Sequence, residues 1–97
     1  MLLYENPQHY KRVSQKYLVI YRGQVNIRET PSLDSNVLKT LNSGDVIETC
    51  EECSIEYAGR IVKRVKLNVG GWTSEMDTDG AVLLYAVLVS SLSCMVY

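Results

Sequence analysis

Residues 24–46 read QVNIRETPSLDSNVLKTLNSGDV, and their order of apolar and turn-forming residues indicates a small all-β domain. Val25 and Ile27 alternate with polar residues, which is the period-2 pattern of a strand with one buried face. Pro31 then interrupts the pattern, because proline cannot donate a hydrogen bond to a ladder. A second apolar run and a Gly-Asp turn follow, so the stretch encodes short strands separated by polar turns.

The rest of the chain continues in the same way, with no apolar periodicity of helical length. A long hairpin is predicted, with its tip near Glu56. Roughly five or six short antiparallel strands at this spacing are typical of a small barrel or sandwich. The predicted strands are 17–21, 25–28, 37–41, 45–52, 60–67 and 82–88.

An ordered set of motifs resembles the bacterial-type SH3 (SH3b) domains. Their usual pattern is a strand reading like (L/V)N(V/I)R, a Pro-containing loop, V(I/L)xxLxxGxxV and a later GW(V/T) turn. The order and spacing agree across residues 17–88, and the tract RVKLNVGGWTSEMDTDGAVLL also resembles a variant from intracellular proteins of single-celled eukaryotes. The matching positions are Val25-Asn26-Ile27-Arg28, Pro31-Ser32, Val37-Leu38, Leu41, Gly44, Val46 and Gly71-Trp72-Thr73.

The resemblance implies a small SH3-like barrel that acts as a non-catalytic module and binds a peptide or protein. Recognition of a polyproline II peptide needs an aromatic-lined trough, and Tyr21, Tyr57 and Trp72 are the residues that would form it. The candidate ligand-binding residues are Tyr21, Asn26, Arg28, Glu29, Tyr57 and Trp72.

Each of these residues also has a purely structural interpretation. Trp72 either forms the floor of a ligand groove or packs over one end of the barrel after the Gly-Gly turn. Asn26 and Arg28 are outward members of a predicted strand, so they either line a site or are solvated. Glu29, at the mouth of the next loop, has the same two interpretations.

The predicted domain organisation has three parts. Residues 1–16 are a polar amino-terminal arm that is either laid across the domain or loose, and residues 17–88 are the barrel. Residues 89–97 are an apolar carboxy-terminal extension. The alternative to a peptide-binding module is therefore a structural domain that forms a homodimer, or docks, through residues 82–97.

Composition argues against several partners and activities. Ten basic residues stand against eleven acidic ones, so no nucleic-acid partner is expected. Residues 81–97 would span only ~25 Å as a helix and lack basic flanks, so no membrane anchor is expected. The only histidine, His9, has no recognisable catalytic partner, and we expect neither enzymatic activity nor a cofactor.

The cysteines point to a reducing compartment. Their number is odd, and the amino terminus has no signal-peptide run, which predicts a cytoplasmic location. A zinc site would need four ligands, so Cys94 and His9 would both have to reach Cys50 and Cys53. We therefore expect no metal, a buried Cys50 and a loop position for Cys53.

The charges of the long hairpin are predicted to neutralise one another. With the tip near Glu56, Glu48 falls opposite Arg64 and Glu52 opposite Arg60. Cross-strand ion pairs of about 0.2–1 kcal/mol account for these charges without any partner.

Overall fold

The computed structural model describes residues 7–87, which form strands and no helix. The strands are β1 (Gln8–Val19), β2 (Val25–Arg28), β3 (Val37–Leu41), β4 (Val46–Tyr57), β5 (Arg60–Leu67), β6 (Trp72–Ser74) and β7 (Leu84–Val87). The predicted all-β class is therefore confirmed. In this part of the chain no helix is long and apolar enough to cross a membrane.

All seven strands join one antiparallel sheet in the order β3-β2-β6-β5-β4-β1-β7. The prediction of five or six strands is therefore too low. The two edge strands, β3 and β7, do not pair with each other in the described part of the chain, so the sheet is barrel-like but not closed.

The first strand is longer than predicted, because β1 already begins at Gln8 and includes much of the predicted arm. It runs antiparallel to β4 with two register shifts. Its charges serve this pairing: Lys11 lies 3.5 Å from Glu52, and Lys16 lies 3.8 Å from Glu48. The first half of β1 is exposed, and a strand that buries so little shows no period-2 signal in the sequence.

The main core lies on one face of the sheet. Val25 and Ile27 are buried there, as their alternation predicts. Paired residues on neighbouring strands point to the same face, so Val65 and its partner Thr73 share this side of the sheet. The buried residues of the core are Tyr17, Val19, Val25, Ile27, Leu41, Ile47, Val65, Leu67, Leu83 and Leu84.

The β4–β5 hairpin closes with a two-residue turn at Ala58 and Gly59, whose φ angles are 52° and 80°. Two successive positive φ angles are typical of a type I′ turn, whose backbone twist matches that of the strands in a β-hairpin. The tip therefore lies further along the chain than the predicted position near Glu56.

This shift of the tip changes the register, and the predicted ion pairs of Glu48 with Arg64 and of Glu52 with Arg60 are wrong. Glu52 instead lies opposite a valine of β5, and its carboxylate binds Lys63 at 3.4 Å. Arg64 is turned into the protein and takes different partners, described below.

β7 pairs with β1 at the other edge of the sheet. The predicted strand at 82–88 is therefore present in part, and within the described residues it forms an edge and does not close the sheet. Tyr85 is 62% exposed on this edge. The predicted extension at 89–97 lies outside the described residues, so assembly through 82–97 stays a prediction.

Candidate functional site

A pocket opens where β2 and β6 diverge. These two strands pair at one position, Arg28 with Trp72, whereas β2 continues along β3 and β6 continues along β5. The space between them encloses about 190 Å³, and we call it the β2–β6 pocket. Its polar lining includes Tyr21, Asn26, Arg28, Arg64, Ser74 and Thr78.

Two arginines fix one wall of this pocket. Arg28 Nη1 donates to the carbonyl of Ser35 at 2.8 Å, and Arg64 Nε donates to the carbonyl of Pro31 at 2.8 Å. Arg64 Nη1 also donates to Ser74 Oγ at 2.7 Å, and Arg64 is only 2% exposed. Arg28 therefore attaches the loop at 29–36 to β2, and Arg64 attaches it to β5 and β6.

The loop at 29–36 has a conformation of its own that suits these contacts. Ser35 Oγ donates to the carbonyl of Ser32 at 2.7 Å, and the Glu29 amide donates to the carbonyl of Asn36 at 2.8 Å. Such side-chain and backbone bonds are why serine and asparagine favour turns. The loop therefore presents the carbonyls of Pro31 and Ser35 to the two arginines.

Met76, Asp77 and Thr78 also line the pocket, and Glu75, which precedes them in the chain, belongs to an ionic cluster. Tyr17 Oη donates to Glu75 Oε2 at 2.6 Å, and Lys63 Nζ lies 3.3 Å from the same oxygen. Burial and this hydrogen bond raise the pKa of Tyr17. The backbone carbonyl of Glu75 also accepts hydrogen bonds from the amides of Leu83 and Leu84. These bonds hold together the two ends of the turn that carries Thr78.

The pocket brings together three of the predicted site residues, Tyr21, Asn26 and Arg28. Glu29 is exposed on the loop, where its carboxylate accepts from Asn36 Nδ2 at 3.4 Å, and it does not line the pocket. The structure thus brings three of the six candidate residues to one location.

The predicted aromatic trough is not assembled. Trp72 is 6% exposed, and its ring meets that of Tyr10 edge to face, with centroids 6.2 Å apart. Tyr57 lies opposite Arg60 beside the hairpin turn and does not line the pocket that contains Tyr21. Trp72 therefore packs within the protein, which is the structural one of its two interpretations.

Sequence reasoning missed Arg64, Ser74 and Thr78 as pocket residues. A signal for Arg64 exists, because Val62 is two positions away on the same face of β5 and is buried. An arginine in phase with a buried valine is expected to point inward. No comparable pattern marks the other two residues, since they depend on how β6 and the following turn are placed.

Cys50 and Cys53 both lie in β4, so the predicted loop position of Cys53 is wrong, and Cys50 is less buried than predicted. Cys53 is buried in β4, where cross-strand pairing puts it opposite Arg64, and Cys50 is half-buried. Cys50 lies next to the register shift of β4, which explains its less buried position. Residues 7–87 contain no group of three or more side chains that could hold a metal ion.

Burial raises the pKa of the Cys53 thiol to about 11 from 9.0. The folded chain therefore keeps this proton where the unfolded chain loses it, and we expect stability to fall as the pH rises from about 9 to 11. In Cys53→Val the free energy of unfolding should decline less between pH 8.5 and pH 10, measured by urea titration. Equal declines in both proteins would contradict this, and the interval from pH 6 to 8 is the internal control.

Comparisons with protein-family models, curated proteins and solved structures find no match for this chain. The resemblance to SH3b domains is therefore carried by the motifs alone, and function is argued below from the geometry of the pocket.

Proposed function

We propose that this chain is a non-catalytic module that binds a peptide or protein segment at the β2–β6 pocket. The observation that carries the proposal is the convergence of Tyr21, Asn26 and Arg28, from β2 and the segment before it, with Arg64 and Ser74 from β5 and β6. These residues come from separate elements and meet at one opening in the sheet.

The size of the pocket favours a segment of a larger ligand. Its volume of about 190 Å³ lies below the roughly 300–1,000 Å³ of pockets that enclose a whole small molecule. A space of this size accommodates a peptide side chain with its adjoining backbone. The remainder of such a ligand would lie along the surface outside.

The chemistry of the lining favours oxygen acceptors on the ligand. The lining contains two guanidinium groups, those of Arg28 and Arg64, and one carboxylate, that of Asp77. Arg28 has five N–H donors, and its hydrogen bond to Ser35 uses one of them. We therefore propose that the bound segment offers backbone carbonyls or a carboxylate to Arg28, with Asn26 fixing its orientation.

The resemblance to SH3b domains supports the same class of function, since the family implies a non-catalytic, peptide-binding role. We also propose a cytoplasmic location, which the odd number of cysteines in the chain supports.

Asn26→Leu tests the proposal, because the larger apolar side chain would fill the opening and remove the amide. The ligands are 12-residue peptides selected from a random display library on the full chain. We expect Asn26→Leu to weaken their binding at least about tenfold, or 1.4 kcal/mol, in fluorescence titrations.

Thr40→Leu is the matched control, because Thr40 is the cross-strand partner of Asn26 and does not line the pocket. It should leave the affinity within about twofold of the parent protein. Selected peptides that bind both variants equally, or that shift the NMR signals of neither Asn26 nor Ser74, would contradict the proposal.

A further inference from the structure

The strand β3 forms one edge of the sheet. Within residues 7–87 it pairs with β2 on one side and with no strand on the other. Four of its five side chains are exposed, among them Val37 at 46% and Leu38 at 56%. An edge strand of this kind offers backbone donors and acceptors to an additional strand.

An apolar depression lies beside this edge. It encloses about 340 Å³, and we call it the β3 groove. Leu41, Ile47 and Leu67 form its buried floor. Val46 and Val69 stand at its rim, 57% and 79% exposed. The groove therefore leaves apolar surface accessible next to an edge that no strand of residues 7–87 pairs with.

The register of β3 determines which positions of an added strand would face the groove. Lys39 lies opposite Ile27, and Leu41 lies opposite Val25. Because Ile27 and Val25 point into the core, Lys39 and Leu41 are on the same face, and both line the groove. Residues of an added strand opposite these two would lie two positions apart.

The charged residues around the groove indicate which kind of segment it would bind. Of its two carboxylates, that of Asp45 accepts the Asn42 amide at 2.8 Å, and that of Glu48 lies 3.8 Å from Lys16. Both carboxylates therefore already have partners. Lys39 is the cation among the residues that line the groove, and an added strand would lie beside its charge.

A second copy of β3 is a poor occupant. An antiparallel pair centred on this strand would set Lys39 directly opposite Lys39 of the other copy. Like charges at that position are destabilising, and lysines on edge strands are a common safeguard against self-association.

We propose that β3 and its groove bind an extended segment of a partner protein by strand addition. The segment carries an apolar residue opposite Leu41, with its side chain in the groove, and an aspartate or glutamate opposite Lys39, two positions away. Backbone hydrogen bonds to β3 supply general affinity, and the two side chains supply selectivity.

This surface is separate from the β2–β6 pocket, because none of the residues that line one cavity lines the other. The failure of either proposal would therefore leave the other intact.

The test uses a display library of nine-residue peptides with β-forming residues at fixed positions, selected on the full chain. We expect enrichment of an apolar and an acidic residue at i and i+2. Lys39→Glu should reverse the acidic preference to a basic one and change the affinity ratio of the matched peptides by about threefold to thirtyfold.

Val69→Glu places a carboxylate at the rim of the groove and should weaken binding of the selected peptides at least about tenfold, because their apolar residue would lie beside a charge. Its matched control is Ile61→Glu, a similarly exposed apolar position on the hairpin that does not line the groove. Peptides that respond to both variants alike, or whose acidic preference persists in Lys39→Glu, would overturn the proposal. So would a dimer whose NMR shifts map to β3, because the occupant would then be a second copy.

Discussion

Replacing Gly71 by alanine is expected to destabilise the protein by about 2–5 kcal/mol, because two costs add. Gly71 has a φ of +94°, a conformation that strains a residue with a Cβ by about 1–2 kcal/mol. The added Cβ would also stand 2.3 Å from Ile27 Cγ2, and Ile27 is completely buried. Forcing such a side chain aside costs about 1–3 kcal/mol.

The neighbouring glycine provides the control. Gly70 has a similar φ of +105°, but a Cβ there meets nothing within 4 Å. Gly70→Ala should therefore show the backbone strain alone, about 1–2 kcal/mol, and the difference between the two variants measures the clash with Ile27. Urea unfolding of both variants at one pH gives this difference. Equal losses in the two variants would show that Ile27 adjusts without cost.

The clash at Gly71 also bears on the candidate site. Trp72 follows this glycine and forms the pair with Arg28 that joins β2 to β6. A Cβ at Gly71 would clash with Ile27 of β2, the residue before Arg28, whereas its 3.5 Å distance to the Arg28 carbonyl would be an ordinary contact. The β2–β6 pocket begins where this pair ends, so its shape depends on the close approach that a glycine permits.

The sequence predicts most of the sheet because most strands bury one face. β2 follows directly from the alternation of Val25 and Ile27, and both are core residues. The first half of β1 is different, since it pairs with β4 and carries the ion pair of Lys11 with Glu52 but buries almost nothing. A strand that buries so little has no alternation of apolar and polar residues by which the sequence would reveal it.

The candidate site was only partly predictable, for two physical reasons. Tyr21, Asn26 and Arg28 are neighbours in the chain, so local pattern sufficed to group them. Arg64 and Ser74 join them through the register of β4, β5 and β6, which depends on where the hairpin turns. A tip misplaced by a few residues moves every cross-strand partner, so the predicted register gives Arg64 the wrong neighbours.

Arg64 is expected to be the main attachment of the loop at 29–36. Arg64→Met should destabilise the protein by about 2–4 kcal/mol. Hydrogen bonds from a charged donor contribute about 1.5–3 kcal/mol each. Part of their loss is offset, because the variant no longer buries a charged guanidinium. The carbonyl of Pro31 and the hydroxyl of Ser74 would both lose this donor. Amides of the loop should then exchange faster with deuterium, whereas those of β4 far from the loop should not.

Two further variants separate geometry from charge. Arg64→Lys keeps the charge but cannot reach Pro31 and Ser74 with the divergent donors of a guanidinium, so it should lose most of the same stability. Lys66→Met removes a charge two residues away on the same face of β5, and it should cost less than about 1 kcal/mol. Full stability and slow loop exchange in Arg64→Met would contradict the assignment. A stable Arg64→Lys beside an unstable Arg64→Met would instead show that the charge, and not the fork of donors, holds the loop against the sheet.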